Sequence, residues 1–309
     1  MPVTLGLGLP QLKHHVLGRD VAAVARAAEE IGYESLWVFE RVLFPVPATQ
    51  GLFGVPGVPW PDTYRGVADP LVTLTLAAAA TERARLGTSV LVAPLHVPFQ
   101  LARTLASLDA ASGGRVVAGF GTGWSHDEYA AASVAPFDKR GEVLDELLDV
   151  CAAVWGPDPV AYTGELTTIA PSEVGPKPAR PIPVFLAAAG PRAKRRLVDR
   201  ADGWMPVAMG ARELTREWRH LRELAEERGR TRPLDACVRV NARYSAKPYE
   251  GDGRQPFQGS VAQIVEDLVA HTESGVPGFL LDVQTTTRDA AELIDVAAEV
   301  YTAARAAGV

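Results

Sequence analysis

"RLGTSVLVAPLHVPFQLARTLASLDAASGGRVVAGFGTGW", residues 85–124, decides the fold. Its first part, "RLGTSVLVA" (85–93), is a short apolar run of the kind buried on both faces of a parallel sheet. Residues 98–111 read as a helix, "SGG" (112–114) stops it, and "RVVAGF" (115–120) is the next buried strand. Strand, helix and strand in this order form a parallel unit, and the same unit repeats outward in both directions.

Toward the N-terminus, "VTLGLGL" (3–9) alternates large and small residues at strand spacing. Asp20 is expected to open a helix with the stripe Val21, Val24, Ala25, Ala28 and Ile31, capped by Gly32. "SLWVF" (35–39) is the second strand, and Asp69-Pro70 caps a helix running to about Thr81. Toward the C-terminus, Leu144, Leu147, Leu148, Cys151, Val154 and Trp155 share one helical face. A hairpin is expected around Thr163-Gly164-Glu165. Strands follow at 182–188, 203–208, 236–244 and 278–283, with helices at 191–200, 211–228, 260–273 and from Ala290 onward.

Eight strand-helix pairs predict a single α/β (β/α)8 TIM barrel occupying residues 1–309, with insertions after strands 2, 4 and 7. An open, doubly wound sheet fits the same alternation. The surplus over the ~250 residues of a minimal barrel is expected to face substrate.

Composition narrows the partners. The 309 residues are 47% hydrophobic, enough for a full-sized core, and carry a net charge of −6. With 37 acidic against 31 basic side chains and no like-charge run beyond "KRR" (194–196), nucleic acid is not an expected partner. No run reaches the ~18 apolar residues of a membrane span, and "MPVTLGLGLP" lacks a leader, so a cytoplasmic protein is expected. Cys151 and Cys237 stand far apart without a histidine cluster, which argues against a disulfide or a metal site.

In a barrel, chemistry belongs just beyond the strand ends. Those positions are Pro10-Gln11, Glu40-Arg41, Pro94 to His96, Gly121 to Trp124, Ala188 to Gly190, Ala208-Met209, Asn241 to Arg243 and Asp282 to Gln284. "GFGTGW" (119–124) exposes backbone N–H groups for close ligand approach, and it serves equally as a tight turn. Its GxGxG spacing is not the dinucleotide fingerprint. "AAAGPRAK" (187–194) leads into a helix N-terminus flanked by Arg192 and Lys194, a ready anion site or plain strand-end packing. Neither a GxSxG nor an HExxH motif occurs, so a cofactor is expected to carry the chemistry.

Five ordered blocks carry a family resemblance: "GYESLWVFE" (32–40), "DPLVTLTLAAAATERARLGTSVLVAPLHVP" (69–98), "LDAASGGRVVAGFGTGWSHDEY" (108–129), "DKRGEVLDELLDVCAAVW" (138–155) and "GPKPARPIPVFLAAAGPRAKRRLVDRADGWMP" (175–206). They resemble the bacterial luciferase-like monooxygenase superfamily, and within it the actinobacterial branch that uses the deazaflavin coenzyme F420. The resemblance implies a non-proline cis peptide at Ser89-Val90 behind the ring. It implies Gly121, Thr122 and Gly123 against the cofactor ring, and a backbone clamp on its tail at Ala187, Ala188, Ala189 and Gly190. Similar sugar-phosphate dehydrogenases read AAGG where this chain has Ala189.

Two departures stand out. Arg41 replaces the histidine that often follows the acid after strand two, and Trp124 replaces the glutamate that the sugar-phosphate enzymes place after "GTG". Arginine does not deprotonate an alcohol near neutral pH, so reduction is the expected direction. Glu40, Arg41, His96 and Asp127 are the candidate catalytic residues, Gln11 and Trp124 the candidate substrate pocket, and no metal is expected. The function implied is hydride transfer between the deazaflavin C5 and a small organic substrate. The alternatives are an FMN-dependent monooxygenase and a non-catalytic flavin-binding protein. A homodimer is the expected assembly.

Overall fold

The structure is a computed structural model that describes residues 3–207 and 209–309; Ala208, expected at the end of the sixth strand, lies outside the described residues. Eight parallel barrel strands run β1 (Thr4–Gly8), β2 (Ser35–Val38), β3 (Arg85–Thr88), β4 (Val116–Gly121), β5 (Val184–Leu186), β6 (Gly203–Trp204), β7 (Asp235–Ala236 and Val238–Asn241) and β8 (Gly278–Asp282). Neighbours follow sequence order: Leu7 of β1 is in register with Leu36 of β2 and Leu281 of β8. The ring closes at β7. Its first segment pairs with β6 and its second with β8, and between them Cys237 N–H donates to Trp204 O at 2.9 Å. The barrel reading holds, and the open sheet does not.

The strands build two cores. Residues pointing outward, among them Leu5, Leu36, Leu86, Ala118 and Leu281, pack under the helices. Residues pointing inward, Trp37, Val117, Phe185, Met205, Cys237 and Leu280, fill the barrel. Trp37 fits because β1 offers no side chain at Gly6, where a Cβ would stand 2.5 Å from the indole Nε1. A filled interior turns a ligand of the barrel itself to the strand ends.

The helices are α1 (Leu17–Ile31), α2 (Pro70–Ala80), α3 (Pro98–Ala111), α4 (His126–Ala132), α5 (Arg140–Trp155), α6 (Pro191–Arg200), α7 (Ala211–Glu227), α8 (Val261–Thr272) and α9 (Ala290–Ala306). The Asp69 carboxylate caps α2, accepting from the Leu71 and Val72 N–H groups at 2.9 Å each. Asp20 does not open α1 as expected. It sits inside the first turn and accepts from Val16 N–H at 2.7 Å, so the helix begins three residues earlier. The hairpin forms, pairing Val160–Thr163 with Thr168–Ser172, but it follows α5. It therefore lies at the N-terminal end of the barrel, away from the strand ends where ligands bind, and that part of the surplus does not face substrate. The polar stretch after β7 pairs Arg243–Tyr244 with Gln258–Gly259. Among the described residues no helix is long and apolar enough to cross a membrane.

His15, just beyond β1, is buried, its ring nitrogens without a hydrogen-bond partner among the described residues and its Nδ1 3.9 Å from the Asp20 carboxylate. Burial, reinforced by His14, lowers its pKa to about 4. A histidine depressed in the folded state contributes stability that is complete above its unfolded value of ~6.5 and is lost as pH falls through the folded value. His15→Phe is therefore expected to flatten the loss of stability between pH 6.5 and 4, by roughly 2–3 kcal/mol, in chemical denaturation across that range.

Candidate active site

At the strand ends an open cleft of about 1530 Å³ is lined by residues from β4, β5, β6 and β7 and from the segments that follow β2 and β3. Its floor is the segment after β3, where the Ser89-Val90 peptide is cis and the chain resumes as Leu91–Val92. Arg239 of β7 holds this floor. Its Nη1 donates to Ser89 O at 2.6 Å, its Nε to Asn241 Oδ1 at 2.7 Å, and its Nη2 meets the Asp282 carboxylate. Gln284 Nε2 in turn donates to Asp282 Oδ1 at 3.1 Å. Arg239 was not among the expected residues, because a mid-strand arginine reads as solvated until its carboxylate is known to arrive from β8.

Beside the floor, a Cβ at Gly121 would stand 2.7 Å from Val90 Cγ2, and Gly123 has φ +68° with Val92 Cγ1 2.5 Å from its virtual Cβ. Both positions need glycine, the second for its backbone as well. Tyr129 OH donates to Thr122 O, which fixes the loop. Opposite, Ala187 N–H donates to Phe120 O at 2.9 Å, while Ala189 and Gly190 present exposed backbone before α6. Along α6, Lys194 pairs with Glu217, and Arg196 pairs bidentately with Asp145 at 2.6 and 2.8 Å. Arg192 and Arg195 are exposed and form no ion pair among the described residues.

At the other end, Glu40 is 5% exposed. Its Oε2 accepts from Val92 N–H at 2.6 Å and its Oε1 lies 2.9 Å from His96 Nε2. An imidazole thus reaches the carboxylate from the loop after β3 rather than from the position after it in sequence. Arg41 is committed elsewhere. Its Nη1 donates to Glu128 Oε2 at 2.9 Å, and its guanidinium lies over the Trp124 ring at 4.7 Å. Burial raises the Glu128 pKa above the ordinary carboxylate value, against the pull of Arg41. Tyr64, another residue not expected, packs its ring on Phe39 at 5.6 Å, and burial raises its pKa, so its phenol stays a neutral donor on the cleft wall.

Ten of the expected residues beyond Glu40 and Arg41 also line this cleft: Ser89, Val90, Gly121, Thr122, Gly123, Trp124, Ala187, Ala188, Ala189 and Gly190. Three expected residues do not. Gln11 is 2% exposed, its Nε2 donating to Phe39 O at 3.0 Å and Ala68 O at 3.1 Å while its Oε1 accepts from Phe39 N–H at 2.8 Å. It is a staple under the loop, not a pocket wall. Asp127 faces away and accepts from Thr49 N–H at 3.0 Å, because a helix turns consecutive side chains apart and gives the inward place to Glu128. His96 stands behind Glu40.

The sequence matches the model of the luciferase-like monooxygenase family over residues 10–252. The chain belongs to this family. Within reach of it are an uncharacterized protein of Mycobacterium tuberculosis, 39% identical over 192 residues (61% of this chain, 67% of that protein), and a protein of Kineococcus radiotolerans named F420-dependent glucose-6-phosphate dehydrogenase, 28% identical over 233 residues (74% of this chain, 65% of that protein). The fold is shared with an F420-dependent secondary alcohol dehydrogenase solved with an F420-acetone adduct, TM-score 0.77 at 18% identity over 99% of this chain and 100% of that one. It is shared equally with the monooxygenase RslO1 from Streptomyces bottropensis, TM-score 0.78 at 17% identity over 99% and 100%. Fold likeness at this identity spans both chemistries of the family and does not separate them.

Proposed function

We propose that this protein is a coenzyme F420-dependent oxidoreductase that reduces a small organic substrate. The observation that carries the reading is the cradle at Gly121, where any side chain would collide with Val90, facing the exposed backbone of Ala187 to Gly190 across the cleft. A flat ring fits against Val90 and the glycines, and a phosphate-bearing tail fits the N-terminus of α6 with Arg192 and Arg195. Bound there in reduced form, the deazaflavin would supply a hydride from C5.

The chain's residues do the rest. Arg239 fixes the carbonyl of Ser89 and with it the floor, and the loop after β4 fixes the opposing backbone. The Glu40–His96 pair holds a proton at the cleft edge, and His96, 23% exposed, connects it to water. That proton would go to the substrate atom that takes up the electron pair of the reduced bond, beside the carbon that would accept the hydride. Glu40→Gln is expected to keep deazaflavin affinity and lower turnover about a hundredfold, read in single-turnover oxidation of the reduced deazaflavin. Unchanged turnover removes Glu40 from the reaction.

Fluorescence titration tests the cofactor. Binding of the deazaflavin at micromolar concentration or below supports the proposal. Oxygen uptake with reduced FMN and no deazaflavin binding replaces it with a monooxygenase, and tight binding without turnover over a broad substrate panel replaces it with a non-catalytic binding protein.

A further inference from the structure

Charge is distributed unevenly along the cleft. At the α6 end, Arg192 and Arg195 are exposed beside a helix N-terminus. At the far end, both arginines on the wall are already spent: Arg41 on the buried Glu128 and the Trp124 face, Arg239 on Asp282, Asn241 and Ser89 O. The Arg41 Nε, which has no acceptor among the described residues, is buried. Arg140, which also lines the cleft, is held over the Phe137 ring at 4.2 Å and donates to Phe137 O at 2.9 Å. A phosphate placed beside the Glu40 carboxylate meets two arginines, Arg41 and Arg239, that are already paired, and loses its hydration with little compensation.

The same end is aromatic. Trp124 packs against Phe53 at 5.8 Å and Trp60 at 5.1 Å between ring centroids, and Phe53, Trp124, Phe39 and Tyr64 all border the cleft. This wall is anchored rather than loose. Gln50 Nε2 donates to Trp124 O at 2.9 Å and Gln50 Oε1 accepts from His126 N–H at 3.1 Å, so the loop after β2 and the loop after β4 are stitched together around the tryptophan.

We propose that the substrate end of the cleft takes an uncharged, planar, largely apolar molecule bearing one reducible oxygen-containing group, and rejects phosphorylated substrates of the kind named for the Kineococcus relative. The proposal rests on the deazaflavin reading for which end the cofactor occupies. Rings stack on Trp124 and Phe53, while the polar group faces Glu40 and the Tyr64 phenol.

The test is equilibrium dialysis of the full chain, with and without oxidised deazaflavin, against 2-naphthaldehyde and against glucose 6-phosphate. The expected result is saturable 2-naphthaldehyde binding at least tenfold tighter than glucose 6-phosphate. Trp124→Ala is expected to weaken 2-naphthaldehyde at least tenfold with deazaflavin affinity unchanged, and Trp124→Phe to restore it to within about threefold, which separates a lost stacking face from a damaged fold. Glucose 6-phosphate binding as tightly as 2-naphthaldehyde, or 2-naphthaldehyde binding equally well to Trp124→Ala, overturns the proposal. Tryptophan-dependent 2-naphthaldehyde binding in a protein that does not bind deazaflavin overturns the cofactor reading alone.

Discussion

Gly121→Val is expected to leave no measurable deazaflavin binding, a loss of at least a thousandfold or about 4 kcal/mol, in fluorescence titration. Its Cβ alone would stand 2.7 Å from Val90 Cγ2 and 3.6 Å from Ala187 Cβ, between the two walls of the proposed ring site. The two further methyl groups of valine have only the cleft to enter. Gly121→Ala grades the effect: one methyl, 2.7 Å from Val90 Cγ2, forces the Val90 side chain to move aside and is expected to weaken binding roughly tenfold. Unchanged thermal stability accompanying the lost binding places the defect in the cradle. Full binding by the valine variant removes the ring from this position.

The second large effect is on the fold. Arg41→Ala is expected to cost roughly 3–5 kcal/mol of stability at neutral pH, the consequence of stranding a buried carboxylate. Glu128 has a side chain only 1% exposed, and without Arg41 it keeps the Val42 N–H at 3.0 Å as its partner from the loop. The pH dependence has a definite sign. Burial already raises the Glu128 pKa above 4.5, and removing the guanidinium raises it further. A carboxyl raised in the folded state contributes stability that is present below its unfolded value and lost as pH rises through the folded value. The deficit of Arg41→Ala is therefore expected to be smaller at pH 5 than at pH 8 in urea denaturation. Adding Glu128→Gln is expected to recover part of it, since the stranded charge is gone. Arg41 thus acts through the loop it ties to α4, and substrate turnover falls in the alanine variant because the Trp124 wall loosens.

Much of this was legible in the chain. Strand and helix periodicity placed all eight barrel strands within a few residues, since parallel strands buried on both faces are mostly apolar. The Asp69-Pro70 cap was equally plain, since proline at a first turn has few other uses, whereas the glycines at 119–123 read equally as a tight turn until Val90 and Val92 were placed against them. The pairings of ionised side chains were not legible. Arg41 and Glu128 are 87 residues apart, Glu40 and His96 are 56 apart, and Arg239 meets Asp282 across 43. Asp127 and Glu128 are adjacent acids, and only the pitch of the seven-residue α4 decides which one faces the arginine.

The sequence by itself determined the eight strand-helix pairs, the strand ends that bear the cleft and the glycine and alanine backbone along it, while closure of the sheet into a barrel was decided by the pairing at β7. It did so because apolar periodicity and glycine placement are local, and each residue answers to its neighbours along the chain. The tertiary structure alone decided which charges remain free to meet a ligand. A charge's partner is set by what the fold brings within about 4 Å, where the Coulomb and hydrogen-bond terms are large, and the partners here come from other strands and from the loop that crosses the mouth.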